Sequence, residues 1–173
     1  MKKIITIFLF VFLVTSCTNA KKIDIKNEYS FKDTAILTKT TIKINSITQI
    51  DKECFFEVED VCSTYTEPAN DYFLILDLVI TNKTNKDITI SSILNFELKD
   101  ENGERAGQQF YLNILNNQLD GTISANTKLK GQIAYDVKES NYYNFYYIED
   151  IIKGEKIKFV INSKDVENRK SEL

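Results

Sequence analysis

The sequence predicts an all-β protein, an antiparallel β-sandwich of about seven strands with at most one short helix besides an N-terminal apolar segment. Three observations carry that expectation. Apolar residues recur at every second position in several segments after residue 36, the period of a strand with one face in a core. Stretches rich in Asn, Asp, Lys and Gly, which favour turns, separate those segments. Only Phe110 to Asn117 hints at a helix, and many short strands at near-regular spacing make a sandwich.

Taken in order, the first strand is marked by Ile42 and Ile44 alternating with Lys43 and Asn45, and a phase shift at Ser46-Ile47 predicts a bulge. In Tyr72 to Thr81 the even residues Tyr72, Leu74, Leu76, Leu78 and Ile80 form the core face of a central strand. Phe73 and Ile75 then point outward and offer a place for contacts. The turn Asn82-Lys83-Thr84-Asn85 leads to a short strand carrying Ile88 and Ile90. Leu94, Phe96 and Leu98 alternate with Asn95, Glu97 and Lys99, and this run stops at the turn Asp100-Glu101-Asn102-Gly103. Leu129, Gly131, Ile133, Tyr135 and Val137 alternate with Lys128, Lys130, Gln132, Ala134 and Asp136, which predicts a strand with one wet face. Ile157, Phe159 and Ile161 against Lys156 and Lys158 make another.

The N-terminus reads differently. Lys2 and Lys3 precede an apolar or weakly polar run from Ile4 to Val14, then Thr15, Ser16 and Cys17. This is the layout of a secretory signal, and the run is well short of the ~20 residues that span a bilayer core. Val14-Thr15-Ser16-Cys17 resembles the lipobox of bacterial lipoproteins, with Val14 in place of the commoner leucine. The resemblance implies removal of residues 1–16, a diacylglyceryl group on the Cys17 thiol and further acylation of the new amino terminus by a chain such as palmitate. Two or three chains anchor stably where one holds only marginally. The expected location is extracytoplasmic, lipid-anchored at the cell membrane or outer membrane. Residues 17–35 then read as the lipidated cysteine and a polar tether, 36–163 as the sandwich domain and 164–173 as a polar tail.

The chain carries 22 basic and 25 acidic residues, net −3, and loss of Lys2 and Lys3 with the signal leaves 20 against 25. A mildly acidic domain lacks the clustered basic surface that phosphate binding needs, so nucleic acid is not an expected partner. Histidine is absent, which removes the commonest general base and any His-dependent triad. The acidic residues fall mostly at turns and on outward faces, a poor setting for a carboxylate pair acting on glycosides. Asp100-Glu101-Asn102-Gly103-Glu104 groups oxygens and a glycine but lacks the spacing of a calcium loop, so it reads as a hairpin turn. No metal, cofactor or catalytic residue is expected.

With Cys17 assigned to lipid, the remaining cysteines are Cys54 and Cys62, and in an exported protein they are expected to be bonded to each other. Zinc would want about four ligands, which the absence of histidine and of any further cysteine leaves unfilled, and the spacing is not that of a C-x-x-C redox pair.

Three segments together resemble the immunoglobulin-like domain of unknown function found in many bacterial lipoproteins, grouped with telokin-like and immunoprotective extracellular proteins. They are YFLILDLVITNKTNKDITI, NFELKDENGERAG and ISANTKLKGQIAYDVKES. Where that family usually has Pro-Gly before the third strand, this chain has Ala125-Asn126, and Asn can adopt the left-handed conformation such a turn requires. The resemblance implies an exported immunoglobulin-like sandwich without a known catalytic site, and it carries over no functional residue.

Two segments remain as candidate contact surfaces. Tyr142, Tyr143, Phe145, Tyr146 and Tyr147 crowd more rings into one segment than alternation hides, and exposed tyrosines suit binding surfaces. The alternative is that these rings close one end of the core. Phe55 and Phe56, inside the Cys54–Cys62 loop, suit a recognition loop or an edge cover. The expected function is a membrane-anchored, non-catalytic module that binds an envelope or host protein. Alternatives are a modulator or inhibitor of an envelope process, a small-ligand or metal-binding domain and, last, a hydrolase.

Overall fold

The computed structural model describes residues 27–58 and 61–168, without the side chains of 55–58, 61 and 168. The signal-like segment, the lipobox resemblance and Cys17 lie outside the described residues. In chain order the described elements are β1 (Glu28–Ser30), β2 (Thr34–Ile36), β3 (Thr40–Ile50), β4 (Glu53–Val58), β5 (Val61–Thr66), β6 (Tyr72–Asn82), β7 (Ile88–Ile90), α1 (Ser92–Asn95), β8 (Phe96–Lys99), β9 (Gly107–Gln109), β10 (Gly121–Ile123), β11 (Lys128–Val137), β12 (Tyr142–Asp150), β13 (Glu155–Asn162) and β14 (Glu167–Asn168), with a 3-10 turn at Ser163–Asp165.

The protein is a β-sandwich. One sheet has the order β1-β13-β12-β8. The other has the order β14-β3-β6-β11-β9, with β2 paired to β3, and β10-β7 and β4-β5 form separate two-stranded ribbons. The main core lies between the two large sheets, where Ile42, Ile44, Leu74, Leu76, Leu78, Ile80, Ile133 and Tyr135 of one face Phe96, Leu98, Phe145, Ile157, Phe159 and Ile161 of the other. Phe96 stacks on Phe145 at 5.7 Å between centroids and on Tyr147 at 5.5 Å, geometries favoured by the ring quadrupoles.

The alternation in β3, β6, β11 and β13 becomes the core face as expected. The bulge is real: the β3–β6 register shifts between Ile44 and Ser46, which moves the buried side chain from Ile44 to Ile47. The turn after β6 is organised by Asn82, which is fully buried. Its Nδ2 donates to Lys86 O at 2.7 Å and Ile123 O at 3.0 Å, while Oδ1 accepts from Thr84 N at 2.9 Å. Asp100 Oδ1 accepts from Asn102 N and Glu104 N, and Gly103 takes φ 82°, so the acidic turn is closed by its own carboxylate. Asn126 takes φ 58°, the left-handed conformation expected of it.

Several expectations are corrected. The tether reading fails over residues 28–35, because Tyr29, Phe31 and Ala35 are buried among charged neighbours and β1 and β2 join the two sheets. The tail reading fails at Glu167–Asn168, which pair with β3. Both β1 and β14 pair in parallel, whereas the other strand pairs are antiparallel. Leu94 is not in a strand: Ser92–Asn95 form the short helix, Leu94 is 57% exposed, and the strand starts at Phe96. No helix forms in the Phe110 to Asn117 stretch.

That stretch does something else. It crosses the outer face of the six-stranded sheet, where Leu112, Ile114 and Leu115 pack with Ile50, Phe73, Ile75 and Ala134 into a second, smaller core. Phe73 and Ile75 are therefore buried rather than outward contacts, and the outer face of β11 is wet, as expected, at Lys128 and Lys130 but covered at Ala134 and Asp136. Asp136 is satisfied there by Ala69 N at 2.7 Å, Asn70 N at 3.0 Å and Asn70 Nδ2 at 2.8 Å, as a buried carboxylate requires.

Candidate functional site

The five-ring segment lies on β12, and its alternation sends the rings to opposite sides. Tyr143, Phe145 and Tyr147 are 1%, 0% and 0% exposed, so three of the proposed contact residues belong to the core. Tyr143 Oη lies within hydrogen-bonding reach of Lys138 O and 2.6 Å from Tyr72 Oη, and either hydroxyl of the tyrosine pair can donate to the other. Burial first, and then the Tyr72 hydrogen bond, push the Tyr143 hydroxyl above the usual phenol range. Tyr147, near Thr40 Oγ1, is pushed up to about 12, chiefly by burial. Only Tyr142 and Tyr146 reach the surface. Tyr142 is 37% exposed, and half-buried Tyr146 lies under the ammonium groups of Lys156 and Lys99, 5.0 and 5.8 Å from its ring centre. The segment mainly closes the core, as the alternative reading had it.

Cys54 and Cys62 form the expected disulfide, with Cα atoms 5.7 Å apart, across the β4–β5 ribbon. The side chains of Phe55 and Phe56 lie outside the described residues. The ribbon springs from the end of β3 and returns into the start of β6, whose Ile50 and Phe73 are paired. Its base is fixed twice. The Glu53 carboxylate accepts from Ile114 N, tying the ribbon to the loop over the second core, and Lys52 Nζ lies 4.1 Å from the centre of the half-exposed Tyr65 ring. Burial pushes the Glu53 carboxyl above its ordinary value, against the opposing pull of the Ile114 hydrogen bond.

Beside this base the same end of the sandwich opens into a cleft of about 650 Å³ lined by Gln49, Asp51, Asp71, Tyr72, Glu101, Glu139, Ser140, Asn141 and Ser163. These residues come from the ends of β3, β8, β11 and β13 and the starts of β6 and β12, which converge there. Asp71 Oδ2 accepts from Glu139 N at 2.7 Å, and Glu101 Oε2 accepts from Asn141 Nδ2 at 2.9 Å. Ser140 Oγ accepts from Glu101 N and donates to Tyr142 O. The loops are thus cross-braced, while Asp51, Asp71 and Glu139 stay exposed. Sequence reading missed this cleft because its acids are scattered over distant turns, each ordinary alone.

Chemically, the cleft offers carboxylates and amides to a partner rich in donors. Among the described residues no three His, Cys, Asp or Glu side chains are grouped to hold a metal ion. No described helix is long and apolar enough to cross a membrane.

Residues 29–157 match the family described as a domain of unknown function, DUF4352. No curated protein matches the chain. Among solved structures, the yjhA protein of Bacillus subtilis is similar over 82% of this chain and 99% of that one, with 16% identity and a TM-score of 0.58. The ycdA protein of Bacillus subtilis subsp. subtilis str. 168, described as a candidate lipoprotein, is similar over 79% of this chain and 40% of that one, with 14% identity and a TM-score of 0.58. A conserved hypothetical protein of Bacillus anthracis shares 11% identity over 75% of this chain and 94% of that one, with a TM-score of 0.51. At these identities the likeness is one of fold.

Proposed function

The chain belongs to the DUF4352 domain family, and on that premise we propose that it is a lipid-anchored extracytoplasmic protein whose immunoglobulin-like sandwich is a non-catalytic contact module of the cell envelope. The observation that carries the reading is the shared placement of two features: the disulfide-stapled β4–β5 ribbon and the acidic cleft occupy one end of the sandwich. A staple restricts a ribbon that a two-stranded pairing alone holds only marginally, and a pre-ordered loop loses less entropy when it binds. Four carboxylates beside it complement a protein surface bearing Lys or Arg. The cleft is open and polar, whereas small-ligand sites are mostly apolar, which favours a macromolecular partner.

Lipid anchoring is supported by the Val14-Thr15-Ser16-Cys17 segment and accords with the candidate-lipoprotein description of one fold neighbour. The absence of histidine and the engagement of Asp71, Asp136 and Glu53 in backbone hydrogen bonds support a non-catalytic role. Cross-linking in whole cells tests the proposal, with a photoreactive residue at Tyr65 in the acylated protein. A discrete partner captured by wild type and lost with Glu101→Lys/Glu139→Lys is the expected result. Equal capture by that charge-reversed protein would remove the acidic end as the contact site.

A further inference from the structure

The opposite end of the sandwich carries an apolar surface that is exposed among the described residues. Ile151 and Ile152 form the tip of the β12–β13 hairpin and are 52% and 98% exposed, at a place where turns normally carry polar residues. Beside them α1 packs against β12, held by Asn95 Nδ2 donating to Ile148 O at 2.7 Å, and it exposes Ile93 by 60% and Leu94 by 57%. Four large aliphatic side chains thus meet water at one end. The acids of the turn are paired: Asp150 with Lys39 at 3.2 Å and Lys153 at 3.9 Å, and Glu155 with Lys153 at 3.9 Å. No unpaired carboxylate of that turn opposes an anionic surface.

The path of the chain identifies what covers this end. β1 runs parallel to β13, with Glu28 opposite Lys158, and Lys158 N donates to Asn27 O at 2.9 Å. Lys158 stands three residue steps along β13 from Glu155 at the hairpin, roughly 10 Å of strand. Because β1 runs away from the hairpin, the described chain begins at Asn27 on the hairpin's side. Cys17 precedes Asn27 by ten residues, which span at most about 35 Å.

We propose that the end formed by Ile93, Leu94, Ile151 and Ile152 rests in the interfacial layer of the phospholipid bilayer that holds the protein, so that the stapled ribbon and the acidic cleft point away from the membrane. The inference builds on the lipid-anchor reading of Cys17. The isoleucine pair enters the headgroup–acyl boundary, and Lys39 and Lys153, at its rim, face the phosphates, as aliphatic and lysine side chains do at an interface. Lipid at one end and contact residues at the other give the domain a fixed bearing instead of free rotation about its anchor.

The test uses the full-length acylated protein in vesicles of phosphatidylcholine and phosphatidylglycerol, with an environment-sensitive fluorophore on Ile152→Cys or, for reference, on Glu139→Cys. Nitroxide-labelled lipid is expected to quench the Ile152 probe about threefold or more above the Glu139 probe, and aqueous iodide to do the reverse. Ile151→Ser/Ile152→Ser, confined to an exposed turn, is expected to abolish lipid quenching of a probe on Ile93→Cys. Equal iodide access at both ends overturns the docking, and shielding from both quenchers overturns it in favour of a second protein copy on this face. Flotation of Cys17→Ser with the vesicles as efficiently as wild type would instead refute the anchor, and the Ile152 probe still decides the docking by itself.

Discussion

Replacing Gly131 by alanine is expected to destabilise the fold, through a contact that backbone conformation does not explain. A Cβ at this position would lie 2.7 Å from Asn117 O, 3.0 Å from Leu119 Cα and 3.1 Å from Leu119 Cδ1. The nearest of these is a backbone atom that cannot rotate away. The segment is also tied down, by Gln132 N donating to Asn117 O at 2.8 Å and Leu119 N to Gln132 O at 3.2 Å, with Leu119 fully buried in the main core. Inserting a methyl into a packed site costs about 1–3 kcal/mol, and each loosened hydrogen bond about 1 kcal/mol. Against this, alanine restricts the unfolded chain by about 0.4–1 kcal/mol. The net loss is about 2–3 kcal/mol, which for a chain of this size lowers Tm by roughly 5–10 °C. Thermal unfolding followed by circular dichroism measures it, with Gly107→Ala as the control, since a Cβ there meets only Gln109 Nε2 at 4.0 Å. An unchanged or raised Tm for Gly131→Ala would refute the close-approach argument.

Removing the staple with Cys54→Ala/Cys62→Ala is expected to cost about 2–3 kcal/mol on the chain-entropy account of a short loop, read as a lower urea midpoint. Tyr143→Phe deletes the hydroxyl shared with Tyr72 and Lys138 O and should cost about 1–3 kcal/mol, while Tyr142→Ser, at the surface, should stay within about 0.5 kcal/mol. The Tyr147 hydroxyl, raised to about 12 when folded against an ordinary phenol value of about 10, contributes stability fully present below pH 10 and lost as pH rises through 12. Urea midpoints measured across that window should fall for wild type and fall less for Tyr147→Phe. Glu53 has the same sign at lower pH: its folded value is raised, so the ionised form burdens the fold at neutral pH. Glu53→Gln, which keeps an acceptor for Ile114 N, should gain stability at pH 7, and that gain should shrink as the solution is acidified.

What the sequence made legible follows from what alternation encodes. In β6 from Tyr72 to Ile80 and in β11 the inward residues are apolar, so their core faces could be read directly. The break in phase after Ile44 was enough to place a bulge. Alternation is silent about a second layer on the outer face, however. Phe73 and Ile75 were apolar for a reason, but their cover, Leu112 to Leu115, comes from an irregular stretch with no period to read. Tyr29, Phe31 and Ala35 were lost in a charged segment because two three-residue strands are too short to show a period. The five rings of β12 misled in the other direction. Their density indicated exposure, yet a sandwich with aromatic residues on both inner faces absorbs three of them. Of the candidate site, the disulfide was legible from cysteine arithmetic, whereas the acidic cleft arises only when distant turns converge.

The Glu101→Lys/Glu139→Lys and Ile151→Ser/Ile152→Ser proteins separate the two ends by experiment, since one should lose a protein contact and the other a lipid contact. Both depend on where the protein is held. Lipid anchoring is tested most directly by the mass and sequence of the N-terminal peptide of the mature protein, isolated from cell membranes. A peptide that begins at Cys17 with a diacylglyceryl thioether is expected; a mature chain that begins elsewhere, or one with an unmodified Cys17 thiol, would refute lipid anchoring.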